Sequence, residues 1–223
     1  MAGVIAFDVN ETLLDMSALD PVFERVFGSS APRPLWFAQM LQLAFVGTIT
    51  GEYVDFSTAQ HAALRMVAER TGIDLDSDDA EAVVDGMRTL PPHAEVRGAL
   101  ERLRGSGLTV AALTNSPLDV AEDQLANAGL RDLFDAVLSA DSVRRLKPAS
   151  EPYLSVAGHF QVPVGSVRLV AAHAWDIAGA LAAGCAAAFV ARPGMVAIPI
   201  GRQPDITGPD LVAVVDRIIA VDA

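Results

Sequence analysis

Gly3-Val4-Ile5-Ala6-Phe7-Asp8-Val9-Asn10-Glu11-Thr12-Leu13-Leu14-Asp15 decides how this chain is read. Val4 to Phe7 form a short, unbroken apolar run, the pattern of a strand buried on both faces of a parallel sheet. Asp8 ends that run. An ionised carboxylate taken out of water costs several kcal/mol unless partners compensate, so a charge at the tip of a buried strand points to chemistry or to a loop cap. In open α/β sheets ligands bind beyond the carboxyl ends of the strands, which is where Asp8 falls. Asn10 and Glu11 read as turn formers, and Thr12 follows one turn beyond Asp8.

Outward from this stretch the pattern becomes helical. Segments 17–27, 34–48, 55–71 and 77–89 carry apolar residues at spacings of three and four, separated by Gly, Pro and Asp-rich turns. The segment around Leu35 to Val46 is apolar nearly all round and needs cover on more than one side. Pro91-Pro92 then punctuates the chain. Beyond it, helices are expected at 94–105, 117–129, 150–160, 175–183 and 210–221. Strands are expected at 108–113, near 135–139, 167–172 and 186–190, and a loop at 193–209. The expected architecture is α/β: a doubly wound parallel sheet formed by 1–15 and 91–223, with a helical cap, 16–90, inserted after the first strand.

With 223 residues, 52% hydrophobic and 20% charged, the chain can bury a sizeable core. A net charge of −12 argues against nucleic acid or an anionic membrane as the main partner. One cysteine, Cys185, excludes intrachain disulfides and fits a reducing cytosol; it reads as a small buried hydrophobe. No signal peptide or membrane span is expected, and the cytoplasm is the expected location. Of sixteen basic residues fifteen are arginine, so Lys147 is the only lysine. A lone lysine in such a chain suggests a position that needs a compact ammonium rather than a planar fork.

The strand ends supply further candidates. Thr114-Asn115-Ser116-Pro117 follows one strand and leads into a helix N-terminus, which attracts anions. Lys147-Pro148 precedes a helix that carries Tyr153 in its first turn, and His173-Ala174-Trp175-Asp176 follows another strand. Taken singly, Asp176 fits an N-cap, Thr114-Asn115 a plain turn, and Tyr153 and Trp175 core aromatics. His61, His93 and His159 fall in helical segments without metal-ligand spacing and read as structural or surface residues. Two aspartates, one lysine and a Thr-Asn pair at successive strand ends are far more specific than any one of them.

On FDVNETLLD, the helical cap, LTNSP, LKPASEPY and AHAWD, in that order, the chain resembles the haloacid dehalogenase superfamily, and within it the L-2-haloacid dehalogenases. The resemblance implies metal-independent hydrolysis of a short 2-haloacid through an ester on Asp8, with no cofactor and a homodimeric assembly. It implies that Lys147 keeps Asp8 ionised, that Asp176 holds Lys147 and orients or activates water, and that Tyr153 supports the lysine. Thr12 and Thr114 would bond Asp8 or the substrate carboxylate, Asn10 and Asn115 would lie at the substrate or halide, and Trp175 would wall the site. The chain departs from the family pattern in two places. The family's cap arginine aligns with Phe37, or with Gln39 if no gap is allowed; Arg33, one turn earlier, is the alternative cation. A serine and an asparagine of the fourth-strand motif are Ala171 and His173, leaving His173 to act on halide, as a base, or as a structural residue.

Two other functions compete with this one. A phosphatase of the same superfamily needs an acid two residues after its nucleophile, where this chain has Asn10. It also needs a second carboxylate for Mg²⁺ near Asp176, where Ala172 stands. A non-catalytic carboxylate-binding relative is the third reading, favoured by the missing arginine and opposed by the retained Asp8, Lys147 and Asp176.

Overall fold

Strand β1 (Val4–Phe7) is buried along its whole length because it lies in the interior of the sheet with strands on both sides. In the computed structural model, which describes residues 1–223, β1 pairs in parallel with β2 (Thr109–Thr114) and with β4 (Val167–Ala171). Beyond β2 lies β3 (Ala136–Ser139), and beyond β4 lie β5 (Ala186–Val190) and β6 (Ile206–Gly208), giving the order β3-β2-β1-β4-β5-β6. The chain therefore winds outward one way through β2 and β3, then returns to β4 on the other side of β1. That reversal opens a crevice at the carboxyl ends of β1 and β4. Asp8 and His173 both emerge there.

The helices follow the expected pattern closely. Between β1 and β2 come α1 (Asp20–Phe27), α2 (Pro32–Thr50), α3 (Phe56–Thr71), α4 (Ser77–Gly86) and α5 (Val96–Gly105). Then α6 (Leu118–Asn127), α7 (Ser150–Phe160), α8 (Ala174–Ala183) and α9 (Leu211–Asp222) alternate with the remaining strands. Local signals set several ends. Asp55 caps α3 by accepting the Thr58 amide, and Asp76 caps α4 by accepting that of Asp79. Gly28, Gly51 and Gly184 close α1, α2 and α8 in the left-handed conformation.

Helix α2 is buried along much of its length, as its all-round apolar sequence requires. Trp36, Phe37, Met40, Leu41 and Ala44 are buried, while Val46 and Ile49 at its far end are exposed. One apolar cluster runs unbroken from Phe7 and Val170 of the sheet into Trp36 and Met40 of α2, so the inserted helices share a core with the sheet.

Two expectations need correction. Strand β6 lies inside the stretch expected to be loop. It is only three residues long, sits at the sheet edge beside β5, and is flanked by Pro204 and Pro209, so its composition hides it. His93 lies in the connection before α5 rather than in a helix, because Pro91 and Pro92 delay the helix start to Val96.

Candidate active site

Lys147 Nζ lies between two carboxylates, 2.8 Å from Asp8 Oδ1 and 2.7 Å from Asp176 Oδ2, and its third hydrogen bond runs to the Leu113 carbonyl at 2.9 Å. All three donors of the ammonium are used, in a site where Lys147 and Asp176 are fully buried. This satisfaction makes burial of the charge tolerable. Asn115 fixes the lysine's backbone: Asn115 Oδ1 accepts the Lys147 N–H at 2.8 Å, and Asn115 Nδ2 donates to the Lys147 carbonyl at 3.3 Å.

Asp8 is held at both oxygens. Thr12 Oγ1 donates to Asp8 Oδ2 at 2.7 Å, its proton directed there because the same hydroxyl accepts the Ala172 N–H at 2.9 Å. His173 Nδ1 lies 3.0 Å from Asp8 Oδ2, and His173 Nε2 lies 2.8 Å from Glu11 Oε2. Both ring nitrogens face carboxylate oxygens, so the doubly protonated imidazolium satisfies both contacts. The ring is stacked between Phe37 and Trp175, with centroids 5.5 and 5.2 Å away and planes inclined by 25° and 24°.

The electrostatics follow from these contacts. Burial alone would raise the Asp8 pKa, but the Lys147 charge, with hydrogen bonds and charge from His173, outweighs it and holds Asp8 well below the usual carboxylate range. Burial also works against the imidazolium, yet the bonds to Asp8 and Glu11 push His173 up to about 9. Asp176 moves the other way: burial and the Asp8 charge raise it against the pull of Lys147. One ammonium serves two carboxylates, and Asp8 is the one left ionised most readily. Burial and the Asp176 charge push the Tyr153 phenol well above its ordinary pKa, so it remains a donor.

Tyr153 supports the lysine only indirectly, donating to Asp176 Oδ1 at 2.6 Å. Gly179 makes room for that contact: a Cβ there would stand 2.6 Å from the Tyr153 hydroxyl and 2.6 Å from Pro148 Cβ. Asn10 is pinned from beneath, accepting from Gln124 Nε2 at 2.9 Å, with its own Nδ2 3.4 Å from Ser116 Oγ. Thr114 does not bond Asp8; its hydroxyl accepts the Ser116 amide at 3.1 Å.

Above Asp8 is a narrow space of about 10 Å³, room for about one water molecule. Its floor is Asp8, Asn10, Thr114, Asn115 and Lys147, its sides are His173 and Trp175, and its roof is Phe37, Leu41 and Phe56 from α2 and α3. Every expected site residue lines this space except Thr12, Tyr153 and Asp176, which touch its walls from behind. Arg33 does not reach it and is paired with Asp20 at 2.5 Å, so it does not replace the missing cap arginine. A larger cavity, about 480 Å³ between α8 and the loop before β6, contains none of these groups.

Glu11, Leu41 and Phe56 were not among the sequence candidates. Leu41 lies one turn beyond Phe37 on α2 and was findable by spacing; nothing local marks Phe56. Glu11 adopts a left-handed φ of 59°, and His93 Nε2 lies 3.1 Å from its carbonyl oxygen, which fixes the turn that aims its carboxylate at His173.

Six parallel strands with a charged, buried site at their switch point define an α/β enzyme of the type that keeps its reactive groups at strand ends. Residues 3–184 match the family model for haloacid dehalogenase-like hydrolases. Haloacetate dehalogenase H-2 of Moraxella sp. (strain B) is 31% identical, covering 97% of this chain and 97% of its own. An (S)-2-haloacid dehalogenase of Pseudomonas sp. (strain YL) is 30% identical over 95% of this chain and 92% of its own. Among solved structures, the L-2-haloacid dehalogenase of Xanthobacter autotrophicus with chloropropionic acid covalently bound is 25% identical, covers 100% of both chains and superposes with a TM-score of 0.92. The chain belongs to the haloacid dehalogenase-like hydrolase family.

Proposed function

We propose that this enzyme hydrolyses the carbon–halogen bond of a short 2-haloalkanoic acid, giving the 2-hydroxy acid, through an ester formed on Asp8. The observation that carries this reading is Lys147 Nζ at 2.8 Å from Asp8 Oδ1, which favours the ionised nucleophile. An oxygen of Asp8 bonds to the halogen-bearing carbon while the carbon–halogen electron pair departs with the halide. Halide leaves without a proton, so Asn10 serves where a phosphatase needs an acid. Water then adds to Asp8 Cγ and the ester opens. Thr12 and Lys147, donating to the Asp8 oxygens, suit the negative charge of the tetrahedral intermediate.

The remaining residues take roles by position. Asp176 and Tyr153 hold Lys147 in place. Asn10, Thr114 and Asn115 offer polar contacts for the substrate carboxylate or the leaving halide, and Phe37 and Trp175 shape the apolar side. At about 10 Å³ the space is too small for a 2-haloacid, so binding requires side chains that line it to move aside. The relatives' names, and the covalently bound chloropropionic acid of the Xanthobacter autotrophicus structure, support the substrate class and the covalent route. The reading carries with it a homodimer, for which sedimentation of the purified protein is the test.

A phosphatase reading is opposed by two features. Lys147 already stands between Asp8 and Asp176, where a divalent cation would compete with it, and buried Ala172 takes the place of a further oxygen ligand. No helix is long and apolar enough to cross a membrane. Halide release from chloroacetate and 2-chloropropionate, measured with a chelator present, tests the proposal beside a Mg²⁺-supplemented phosphatase assay. Halide release in chelator is the expected result. Phosphate release alone, or neither activity over a broad panel, overturns it.

A further inference from the structure

Opening the ester requires a base for the attacking water, and Asp176 is poorly placed to be that base. It is fully buried, its oxygens take Lys147 Nζ at 2.7 Å and the Tyr153 hydroxyl at 2.6 Å, and it does not border the space above Asp8. His173 does border that space. Its Nδ1 is 3.0 Å from Asp8 Oδ2, and its Nε2 is held by Glu11 at 2.8 Å. Nucleophile, imidazole and orienting carboxylate thus stand in hydrogen-bonded sequence, the relation that defines catalytic triads wherever they occur. Phe37 and Trp175 stack on the ring and restrict its tilt.

We propose that His173 is the general base of ester hydrolysis and that Glu11 is the positioning residue that sets its tautomer. The assignment rests on the dehalogenation reading. In the resting enzyme the ring is an imidazolium between Asp8 and Glu11. Once Asp8 has become a neutral ester, one of the two anions holding the ring's protons is gone, and the Nδ1 proton passes to solvent; this is the proton that net hydrolysis of a haloacid must release. Glu11 keeps the Nε2 proton, leaving Nδ1 as acceptor. Water gives one proton to Nδ1 as its oxygen bonds to Asp8 Cγ. The tetrahedral intermediate collapses with cleavage of the bond between Cγ and the alkoxy oxygen, the departing alkoxide takes the proton of the newly added hydroxyl, and Asp8 carboxylate and His173 imidazolium are restored. Substrate and water become hydroxy acid, halide and one proton.

The charged groups facing the ring are Asp8 and Glu11 from the turn after β1, with Lys147 across the face of Trp175; Asp176, on the same helix, turns its carboxylate to Lys147 and Tyr153. Phe37, the α2 residue stacked on the ring, brings no charge.

Rapid mixing of enzyme with a 2-haloacid, following halide and hydroxy acid separately with intact-protein mass, tests the assignment. His173→Gln is expected to release about one halide per enzyme and then stall as a covalent adduct on Asp8, with hydrolysis slowed roughly 10²-fold or more. Glu11→Gln is expected to keep turnover but to shift the pH dependence of hydrolysis to lower pH, because the ring loses an anion that holds its proton; a merely structural role would not move that profile. Unchanged hydrolysis in His173→Gln, or loss of its halide burst in a protein that melts like wild type, overturns the base assignment. Absence of halide release by the wild type overturns the dehalogenation reading instead and takes the assignment with it.

Discussion

Two ion clusters, each around a buried cation, sit at opposite ends of strand β4, and they use those cations differently. Near the start of the strand, Arg168 grips Asp205 with both terminal nitrogens at 2.6 and 2.9 Å and Asp222 with Nε at 2.6 Å. Asp222 in turn accepts the Ala2 amide at 2.8 Å, so the cluster ties the N-terminus, β4, the approach to β6 and the end of α9 together. Beyond the other end, Lys147 places one compact charge among two carboxylates and a carbonyl, and the carboxylate of Asp8 borders a narrow space. A planar fork suits the first arrangement and a point charge the second. What separates the two clusters is what their carboxylates border: Asp205 is half exposed at the protein surface, whereas the buried carboxylate of Asp8 borders the small space lined by Phe37, His173 and Trp175.

The largest expected break in the comparison comes from Asp8→Asn. Turnover should fall on the order of 10⁶-fold, as for loss of other nucleophiles, while the thermal melt still reports a folded protein. Next come the cations themselves. Lys147→Met strands two buried carboxylates, Asp8 and Asp176, and Arg168→Met one, Asp222; each should be strongly destabilising in chemical denaturation, ~3 to 5 kcal/mol for the lysine variant and no more than that for the arginine variant. Only the lysine variant should lose catalysis per folded molecule. Equal activity in the two variants would erase the distinction between the clusters.

A smaller effect concerns pH. The folded pKa of His173, about 9, lies above its ordinary value of 6.5. Its stabilising contribution is therefore complete below pH 6.5 and is lost as pH rises through about 9. The wild type should lose on the order of 3 kcal/mol of folding free energy across that window, and His173→Asn should lack that decline when melts are compared along the pH series. Smallest is Gly179→Ala, whose added methyl meets the Tyr153 hydroxyl and Pro148; overpacking of this kind costs ~1 to 3 kcal/mol and should lower turnover by displacing Asp176 from Lys147.

The fold was legible because strands and helices were written with different periods: the apolar runs at Val4 to Phe7 and 167–172 against the three-and-four spacing of the inserted segments. Strand β6 was not, since a three-residue edge strand between prolines carries no period. Asp8, Lys147 and Asp176 were legible as charges at strand ends, and the solitary lysine marks a place where the structure does use all three ammonium donors. Glu11 was not, because its role depends on a left-handed backbone turn that sequence presents only as a turn former. Gly179 was hidden for a similar reason: its need arises from a close approach between α8 and residues of another element. His173 was visible as a departure, but its dependence on Glu11 and its place between Phe37 and Trp175 emerge only when the three segments meet.

The central claim is that Asp8 itself carries the substrate. A single turnover of excess enzyme on 2-chloropropionate in heavy-oxygen water, followed by mass analysis of the Asp8 peptide and of the lactate, tests it directly. The account predicts label in the Asp8 carboxylate and ordinary oxygen in the product hydroxyl. Label in the product with none in Asp8 would mean that water attacks the substrate directly, and would contradict it.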